Sequence, residues 1–232
     1  MLTVLRLILA AAFFIALNQY RFPDTHVSWA NLAIALFVLA AVTDWLDGYL
    51  ARRWNVETVF GRIMDPFCDK VLVLGAFIYL AGPRFAMPDR VAEGSFFTMA
   101  TGVYPWMVVV IFARELLVTS VRGLLESMGQ SGGAKWAGKW KMVLQSLTIP
   151  IVLFVAANFV PHRPEYAWAG WVRDGFVYLT VFVTILSAVP YVTGLRLVLK
   201  RDKEAAETAA DDAAPEPDAS EYPDSPLREP RQ

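Results

Sequence analysis

Long apolar runs separated by short polar connections fill the first 200 residues of the chain. Runs of about 20 residues, the length that crosses a bilayer as a helix, can be placed near residues 3–20, 29–50, 66–82, 98–123, 141–160 and 173–198. The first run lacks the basic start and the small-residue cleavage motif of a secretory signal peptide, so it counts as a span. The pattern predicts an all-α integral membrane protein with six transmembrane helices.

Composition supports this class and marks a change near the C-terminus. Hydrophobic residues make up 56% of the chain and charged residues 19%, which is typical of a membrane protein. The net charge is only −1, but the body is basic, and the part after Lys203 is acidic and rich in Ala and Pro. Such a segment has little apolar surface to bury. We therefore predict a membrane domain over residues 1–201 and an acidic, disordered tail over residues 202–232.

Basic residues are distributed unequally between the two sets of connections. The connections on one predicted side hold five arginines: Arg21, Arg84, Arg90, Arg163 and Arg173. The other side collects nearly three times as many cations, including Arg6, Arg52, Arg53, Arg62, Lys70, Arg114, Arg122, Lys135, Lys139, Lys141, Arg196 and Lys200. By the positive-inside rule, both termini face the cytoplasm and the protein is a multi-pass protein of the inner membrane.

Four aspartates lie at the cytoplasmic ends of the second and third runs, at Asp44, Asp47, Asp65 and Asp69. A carboxylate at membrane depth costs at least ~2.5 kcal/mol, so four of them indicate a functional site. The spacings of three and four residues place each pair on one face of a helix. The two faces can meet across a short turn at residues 53–59. We expect a polar cavity that opens to the cytoplasm.

Carboxylates without His or Cys neighbours favour hard divalent cations such as Mg²⁺, Mn²⁺ or Ca²⁺. Two such ions can clamp a pyrophosphate during in-line displacement. Arg52 lies next to the aspartates and offers a forked donor for phosphate oxygens. Gly48, Ala51 and Gly61 leave room between the carboxylates. The residues therefore point to phosphoryl transfer at a membrane surface.

The full motif reads Asp44-x2-Asp47-Gly48-x2-Ala51-Arg52-x8-Gly61-x3-Asp65-x3-Asp69. It resembles, position for position, the signature of the CDP-alcohol phosphatidyltransferase family. The resemblance implies a six-helix membrane enzyme, usually homodimeric, that moves a phosphatidyl group from CDP-diacylglycerol to an alcohol and releases CMP. It implies Mg²⁺ or Mn²⁺ as cofactor, with two ions expected, and no nucleic acid as partner.

The same resemblance assigns residue roles. The implied metal ligands are Asp44, Asp47, Asp65 and Asp69. The implied CDP-diacylglycerol site comprises Gly48, Ala51 and Arg52, with Thr3 and Arg6 near the diphosphate. Asp69 is also the implied general base, which takes the proton from the acceptor hydroxyl.

Further stretches, such as Ala113–Leu117 and Trp136–Lys141, resemble the branch of the family that uses glycerol 3-phosphate as the acceptor. An acceptor with its own phosphate needs cations beside the aspartates. The residues expected to bind that phosphate are Arg114, Arg122, Lys139 and Lys141. Glu115 is expected to pair with one of these cations. Inositol phosphate fits the same cations and stays an alternative acceptor, whereas serine and phosphatidylglycerol fit less well.

Two other functional classes remain open at the sequence level. Intramembrane carboxylates also line ion and proton pathways, although here they cluster near one membrane face and no inverted repeat is visible. A non-catalytic lipid-binding or scaffold protein would need neither base nor metal site. Release of CMP that depends on metal would separate the enzyme from both.

Overall fold

Helices account for all the regular structure in the described part of the chain. A computed structural model describes residues 2–23, 26–54, 59–96, 98–128, 135–159 and 164–212; within these ranges the side chains at 2, 3, 45, 47–54, 59–66, 69, 135–139, 164, 201, 202 and 205–212 lie outside the description. The α-helices are α1 (Leu2–Gln19), α2 (Val27–Trp54), α3 (Val59–Leu80), α4 (Pro88–Ala92), α5 (Pro105–Ser127), α6 (Lys135–Asn158), α7 (Ala167–Leu186) and α8 (Val189–Asp212). Two short 3-10 helices cover Pro83–Phe85 and Pro164–Tyr166. The predicted all-α class is confirmed for these residues.

Five of the six predicted runs correspond to a single long helix: α1, α2, α3, α5 and α6. The sixth prediction, one helix over residues 173–198, was wrong. α7 ends at Leu186, Ser187 and Ala188 form a turn, and α8 starts at Val189. Pro190 explains the break, because proline has no N–H for a helix hydrogen bond and its ring clashes with the preceding turn.

α1 and α2 pack through matching stripes of buried residues. On α1 the buried residues recur every three or four positions, as at Ala10, Phe13 and Leu17. On α2 the stripe includes Ala33 and Ala40, which are fully buried. Small residues let membrane helices approach closely. The two helices therefore lie close enough for polar groups near the start of α1 and in the second half of α2 to meet.

α6 and α7 are joined by hydroxyl and amide groups in an otherwise apolar interface. The Oγ1 atoms of Thr148 and Thr180 lie 2.7 Å apart, and both residues are buried. About one turn closer to the start of α6, Nε2 of Gln145 donates to Oγ1 of Thr184 at 3.3 Å. Hydrogen bonds between membrane helices stabilise their association, so this pair of bonds fixes the register of α6 against α7.

At the opposite end, Arg173 fastens the loop before α5 to α7. The sequence placed Arg173 in a connection, but it lies inside α7 and is buried. Its Nη1 donates to the carbonyl of Ala100 at 2.6 Å, and its Nε donates to Oδ1 of Asp174 at 2.8 Å. Gly102 lies beside this pair with φ +67°. Internal bonds thus neutralise this arginine, which the topology rule would have counted as a free surface charge.

Three helical stretches in the described part are long and apolar enough to cross a membrane: Val27–Asp44, Trp140–Asn158 and Ala167–Lys200. The described apolar parts of α1 and α3, Val4–Gln19 and Lys70–Leu80, are shorter. α5 is long enough, but every 18-residue stretch of it contains at least three charged residues. The charges of α5 therefore need partners inside the protein.

The chain divides into two compact units, Met1–Tyr191 and Val192–Gln232. The described part of the second unit is helical through Asp212, so helix extends 11 residues into the predicted tail. Residues 213–232, the remainder of that tail, lie outside the described residues.

Candidate active site

An ion pair connects the start of α1 to the second half of α2. Arg6 belongs to the buried stripe of α1 and is only 1% exposed. Its Nη2 lies 2.7 Å from Oδ1 of Asp44, whose side chain is 39% exposed. A buried guanidinium therefore holds a carboxylate that is still accessible from outside. The structure thus brings together a residue expected at the diphosphate and a residue expected to bind metal.

A second charged group joins α5 to α6. Oε1 of Glu115 accepts from Nη1 of Arg114 at 2.9 Å and also accepts from Nζ of Lys141. All three residues are buried. The expectation that Glu115 pairs with a neighbouring cation is confirmed, and it pairs with two. These two cations are both residues expected to bind the acceptor phosphate.

Arg114 is held only in part by these contacts. Its Nη2 donates to the carbonyl of Ser187 at 3.4 Å, where the break after α7 leaves backbone carbonyls without helix partners. Its Nε is buried and makes no hydrogen bond within the described part of the chain. Buried donors of this kind are rare in proteins and call for a specific explanation. A ligand oxygen would satisfy this donor.

Arg122 lies two turns farther along α5 and contacts Tyr191 in the first turn of α8. Its Nη2 donates to the phenolic oxygen at 2.7 Å, and its guanidinium carbon lies 5.6 Å from the centre of the ring. The first compact unit ends at Tyr191, so this contact belongs to that unit. Sequence reasoning did not find Tyr191, because its partner lies 69 residues earlier in the chain.

A cleft of about 290 Å³, a volume that includes solvent at its mouth, opens between α3, α5 and α6. Its polar lining comprises Lys70, Glu115, Lys141, Gln145 and Ser146, and its apolar lining comprises Val73, Leu74 and Met142. The charged group on Glu115 therefore forms one wall of an accessible space. Lys141 faces that space, whereas Arg114 contacts Glu115 from α5 itself.

Lys70 enters this cleft from α3, and Thr119 of α5 holds it. Nζ of Lys70 donates to Oγ1 of Thr119 at 2.6 Å. The same hydroxyl donates to the carbonyl of Glu115 at 2.8 Å, one turn back in α5. The sequence gave a signal for Lys70, since it directly follows Asp69, but none for Thr119, which resembles an ordinary membrane-helix residue.

The backbone at all four aspartates is helical. Asp44 and Asp47 lie in the last turns of α2, and Asp65 and Asp69 lie in the first half of α3. Of the predicted metal ligands, Asp44 alone has a described side chain, and the described side chains contain no group of three His, Cys, Asp or Glu that could hold a metal. Only the backbone is described for eight of the predicted site residues: Thr3, Asp47, Gly48, Ala51, Arg52, Asp65, Asp69 and Lys139.

Comparison with known proteins decides the family. The sequence profile described as CDP-alcohol phosphatidyltransferase matches residues 1–186, which is most of the chain. The chain belongs to the CDP-alcohol phosphatidyltransferase family. The resemblance predicted from the aspartate motif is therefore confirmed, and this family member is a membrane protein and a phosphatidyltransferase.

Three similar curated proteins carry the same name. A CDP-diacylglycerol–glycerol-3-phosphate 3-phosphatidyltransferase of Bacillus subtilis is 34% identical over 169 residues, covering 72% of this chain and 76% of the relative. The protein of that name from Escherichia coli K12 is 29% identical over 177 residues, covering 73% and 82%. One from Cereibacter sphaeroides is 33% identical over 155 residues, covering 65% and 60%. These alignments extend well beyond the motif.

Proposed function

We propose that this phosphatidyltransferase uses glycerol 3-phosphate as its acceptor and produces phosphatidylglycerol phosphate and CMP from CDP-diacylglycerol. The observation that carries the proposal is the convergence of Arg114 and Lys141 on Glu115 at a cleft that Lys70 also lines. An acceptor without a phosphate has no need of these cations. The relatives are named for glycerol 3-phosphate, which supports the same acceptor here.

Arg114 and Lys141 offer the charged hydrogen-bond donors that a phosphate dianion requires. Arg114 has a buried donor that no described residue satisfies, and Lys141 already faces the cleft. Hydrogen bonds from charged donors to phosphate oxygens are short and strong. We assign the acceptor phosphate to Arg114, Arg122, Lys139 and Lys141. Glu115 keeps two of these cations in place before the acceptor arrives.

Members of this family depend on metal ions. We propose that Asp44, Asp47, Asp65 and Asp69 would hold them, and that they are two Mg²⁺ or Mn²⁺ ions. The donor set fits, because carboxylate oxygens are the ligands these ions prefer, and Asp44 is partly exposed while Arg6 fixes its orientation. When bound, such ions neutralise the negative charge of a diphosphate.

The residues of the chain then perform the remaining steps. Thr3, Arg6, Gly48, Ala51 and Arg52 bind and orient the cytidine diphosphate. Asp69 accepts the proton of the acceptor hydroxyl as that oxygen bonds to the phosphorus of the phosphatidyl group. The bond from this phosphorus to the oxygen of CMP breaks, and CMP leaves.

For the topology we propose six spans: α1, α2, α3, α5, α6, and α7 together with the start of α8. The cations gathered at one end of the bundle then face the cytoplasm by the positive-inside rule, as do both termini and the site. This membrane domain covers residues 1–201 and resides in the inner membrane. The enzyme works as a homodimer, as the family resemblance implies.

The test is CMP release by the purified protein in detergent with Mg²⁺ or Mn²⁺. Glycerol 3-phosphate, inositol 1-phosphate, serine and phosphatidylglycerol are offered in parallel. We expect release with glycerol 3-phosphate that EDTA or Asp65→Asn abolishes. If CMP is released only with another alcohol, glycerol 3-phosphate is not the acceptor. If CMP is released without metal, the proposed metal site at the aspartates is refuted.

A further inference from the structure

We infer that Lys70 is a further ligand for the acceptor phosphate and that Thr119 is the residue that positions it. This inference rests on the proposed function and adds two residues to it. Lys70 reaches the cleft from α3, and Lys141 reaches it from α6. A phosphate in the cleft would therefore meet positive charge from two helices.

The two lysines of the cleft differ in charge balance. Lys141 forms an ion pair with Glu115, which also binds Arg114. Lys70 instead donates to the neutral hydroxyl of Thr119 and forms no ion pair with a described carboxylate. Its positive charge is thus the one in the cleft that no described carboxylate offsets, and it is the stronger attraction for an incoming dianion.

The geometry at Thr119 fixes the direction of this lysine. A threonine hydroxyl has one hydrogen and two lone pairs, and here the hydrogen is donated to the carbonyl of Glu115 at 2.8 Å. The oxygen can then act toward Lys70 only as an acceptor, at 2.6 Å. This contact uses one of the three donors of the ammonium group. Two donors remain for phosphate oxygens.

Lys70 lies next to the proposed base in the sequence, which links phosphate binding to the site of proton transfer. Lys70 directly follows Asp69, the proposed base, so both residues lie in one turn of α3, although consecutive side chains leave a helix about 100° apart. The long side chain of Lys70 could hold the phosphate of a small acceptor while the acceptor hydroxyl reaches this turn. Lys70 would thus select acceptors that carry a phosphate over acceptors that do not.

The experiment compares Lys70→Met, Lys70→Arg, Thr119→Val, Thr119→Ser and the double variant Lys70→Met/Thr119→Val. For each variant, kcat and the KM values for glycerol 3-phosphate and CDP-diacylglycerol are measured. We expect Lys70→Met to raise the KM for glycerol 3-phosphate about 10- to 100-fold, and Thr119→Val about 3- to 10-fold. The KM for CDP-diacylglycerol stays within about twofold. Thr119→Ser and Lys70→Arg retain most of the affinity.

The double variant tests the positioning role. If Thr119 acts through Lys70, Thr119→Val adds nothing once Lys70 is methionine. Thr148→Val is the matched control, because it removes a buried hydroxyl contact between α6 and α7 and should leave both KM values unchanged. Use of unphosphorylated glycerol, relative to glycerol 3-phosphate, should rise in Lys70→Met.

Several results would overturn the inference. An unchanged KM for glycerol 3-phosphate in Lys70→Met, or an equal effect of Thr119→Val with and without Lys70, contradicts it. If Lys70→Met does not fold, equal KM values for Thr119→Val and Thr119→Ser contradict it instead. A wild-type protein inactive with glycerol 3-phosphate refutes the proposed function itself, which separates the two failures.

Discussion

Nη2 of Arg6 lies 2.7 Å from Oδ1 of Asp44, and this ion pair joins the first helix to the aspartate motif. The arginine is buried and the carboxylate is partly exposed. The arginine therefore orients a group that a ligand can still reach. Partners of this kind behind a metal ligand control its geometry and its affinity.

We predict that Arg6→Met lowers the apparent affinity of the enzyme for Mg²⁺. Without the guanidinium, the Asp44 carboxylate loses a fixed orientation, and the Mg²⁺ concentration for half-maximal CMP release should rise about 10- to 100-fold. The measurement is a Mg²⁺ titration of CMP release. Arg90→Met, at an exposed site in α4, is the control and should titrate like the wild type. An unaltered Mg²⁺ midpoint in Arg6→Met would count against this role.

Replacement of Glu115 by glutamine should destabilise the protein strongly. It removes the one described carboxylate that Arg114 and Lys141 share, and breaking a buried ion pair by removing one member costs ~3–5 kcal/mol. Equilibrium unfolding by SDS titration in mixed micelles measures the loss. Glu204→Gln breaks an exposed pair with Lys200 and should change stability by less than ~1 kcal/mol. Similar losses in both variants would disprove the assignment of Glu115.

A double-mutant cycle on Thr148 and Thr180 should reveal a direct but modest coupling. Hydrogen bonds between membrane helices contribute about 0.6 kcal/mol on average, and these two hydroxyls lie 2.7 Å apart in a buried interface. Unfolding of Thr148→Val, Thr180→Val and the double variant gives the coupling energy. Strictly additive losses would mean that the two hydroxyls do not interact.

Alanine at Gly102 should be more harmful than alanine at Gly94. Both glycines have positive φ, of 67° and 66°, so both substitutions carry the left-handed backbone cost of ~1–2 kcal/mol. At Gly102 a Cβ would also lie 2.5 Å from Oδ1 of Asp174, whereas nothing lies within 4 Å at Gly94. We expect Gly102→Ala to lose about 1–3 kcal/mol more. Thermal unfolding in detergent compares the two, and equal melting temperatures would contradict the clash.

Asp69→Asn should lower kcat by about 10²- to 10⁴-fold, because it removes the proposed base while keeping the size of the side chain. Nearby cations weaken a carboxylate as a base, so the lower part of this range is expected if metal stabilises the developing charge. Binding of CDP-diacylglycerol should be retained. Asp89→Asn, at an exposed site in α4, is the control. Near wild-type turnover in Asp69→Asn would exclude it as the base.

The sequence predicted most helices correctly because length and apolar content determine whether a segment can form a buried or membrane helix. The helix prediction failed where a single turn interrupts an apolar run. Hydropathy continues through Ser187 and Ala188, so the run over 173–198 looked unbroken, although Pro190 cannot continue a helix from Leu186. Arg173 was misplaced for a related reason, since its partners on the loop at Ala100 lie 73 residues away.

In the candidate site, too, contacts between residues distant in sequence could not be predicted. The aspartate motif and the cations of α5 and α6 were visible because their spacing and chemistry are local. Their contacts were not, since the bonds of Lys70 to Thr119 and of Arg122 to Tyr191 join residues 49 and 69 positions apart. The sequence does not show whether the hydroxyl of a threonine in a membrane helix binds a lysine or only a backbone carbonyl.

Adjacent residues of opposite charge in α5 also bear on how the chain enters the membrane. Arg114 and Glu115 are neighbours that bond to each other within one helix, while Lys141 and Ser187, their other contacts, belong to segments synthesised later. During synthesis α5 can therefore present these two charges to the translocon as a neutral pair, before α6 exists. In the proposed topology, the carboxylate that later holds the cations at the cleft would thus also help its own helix to insert.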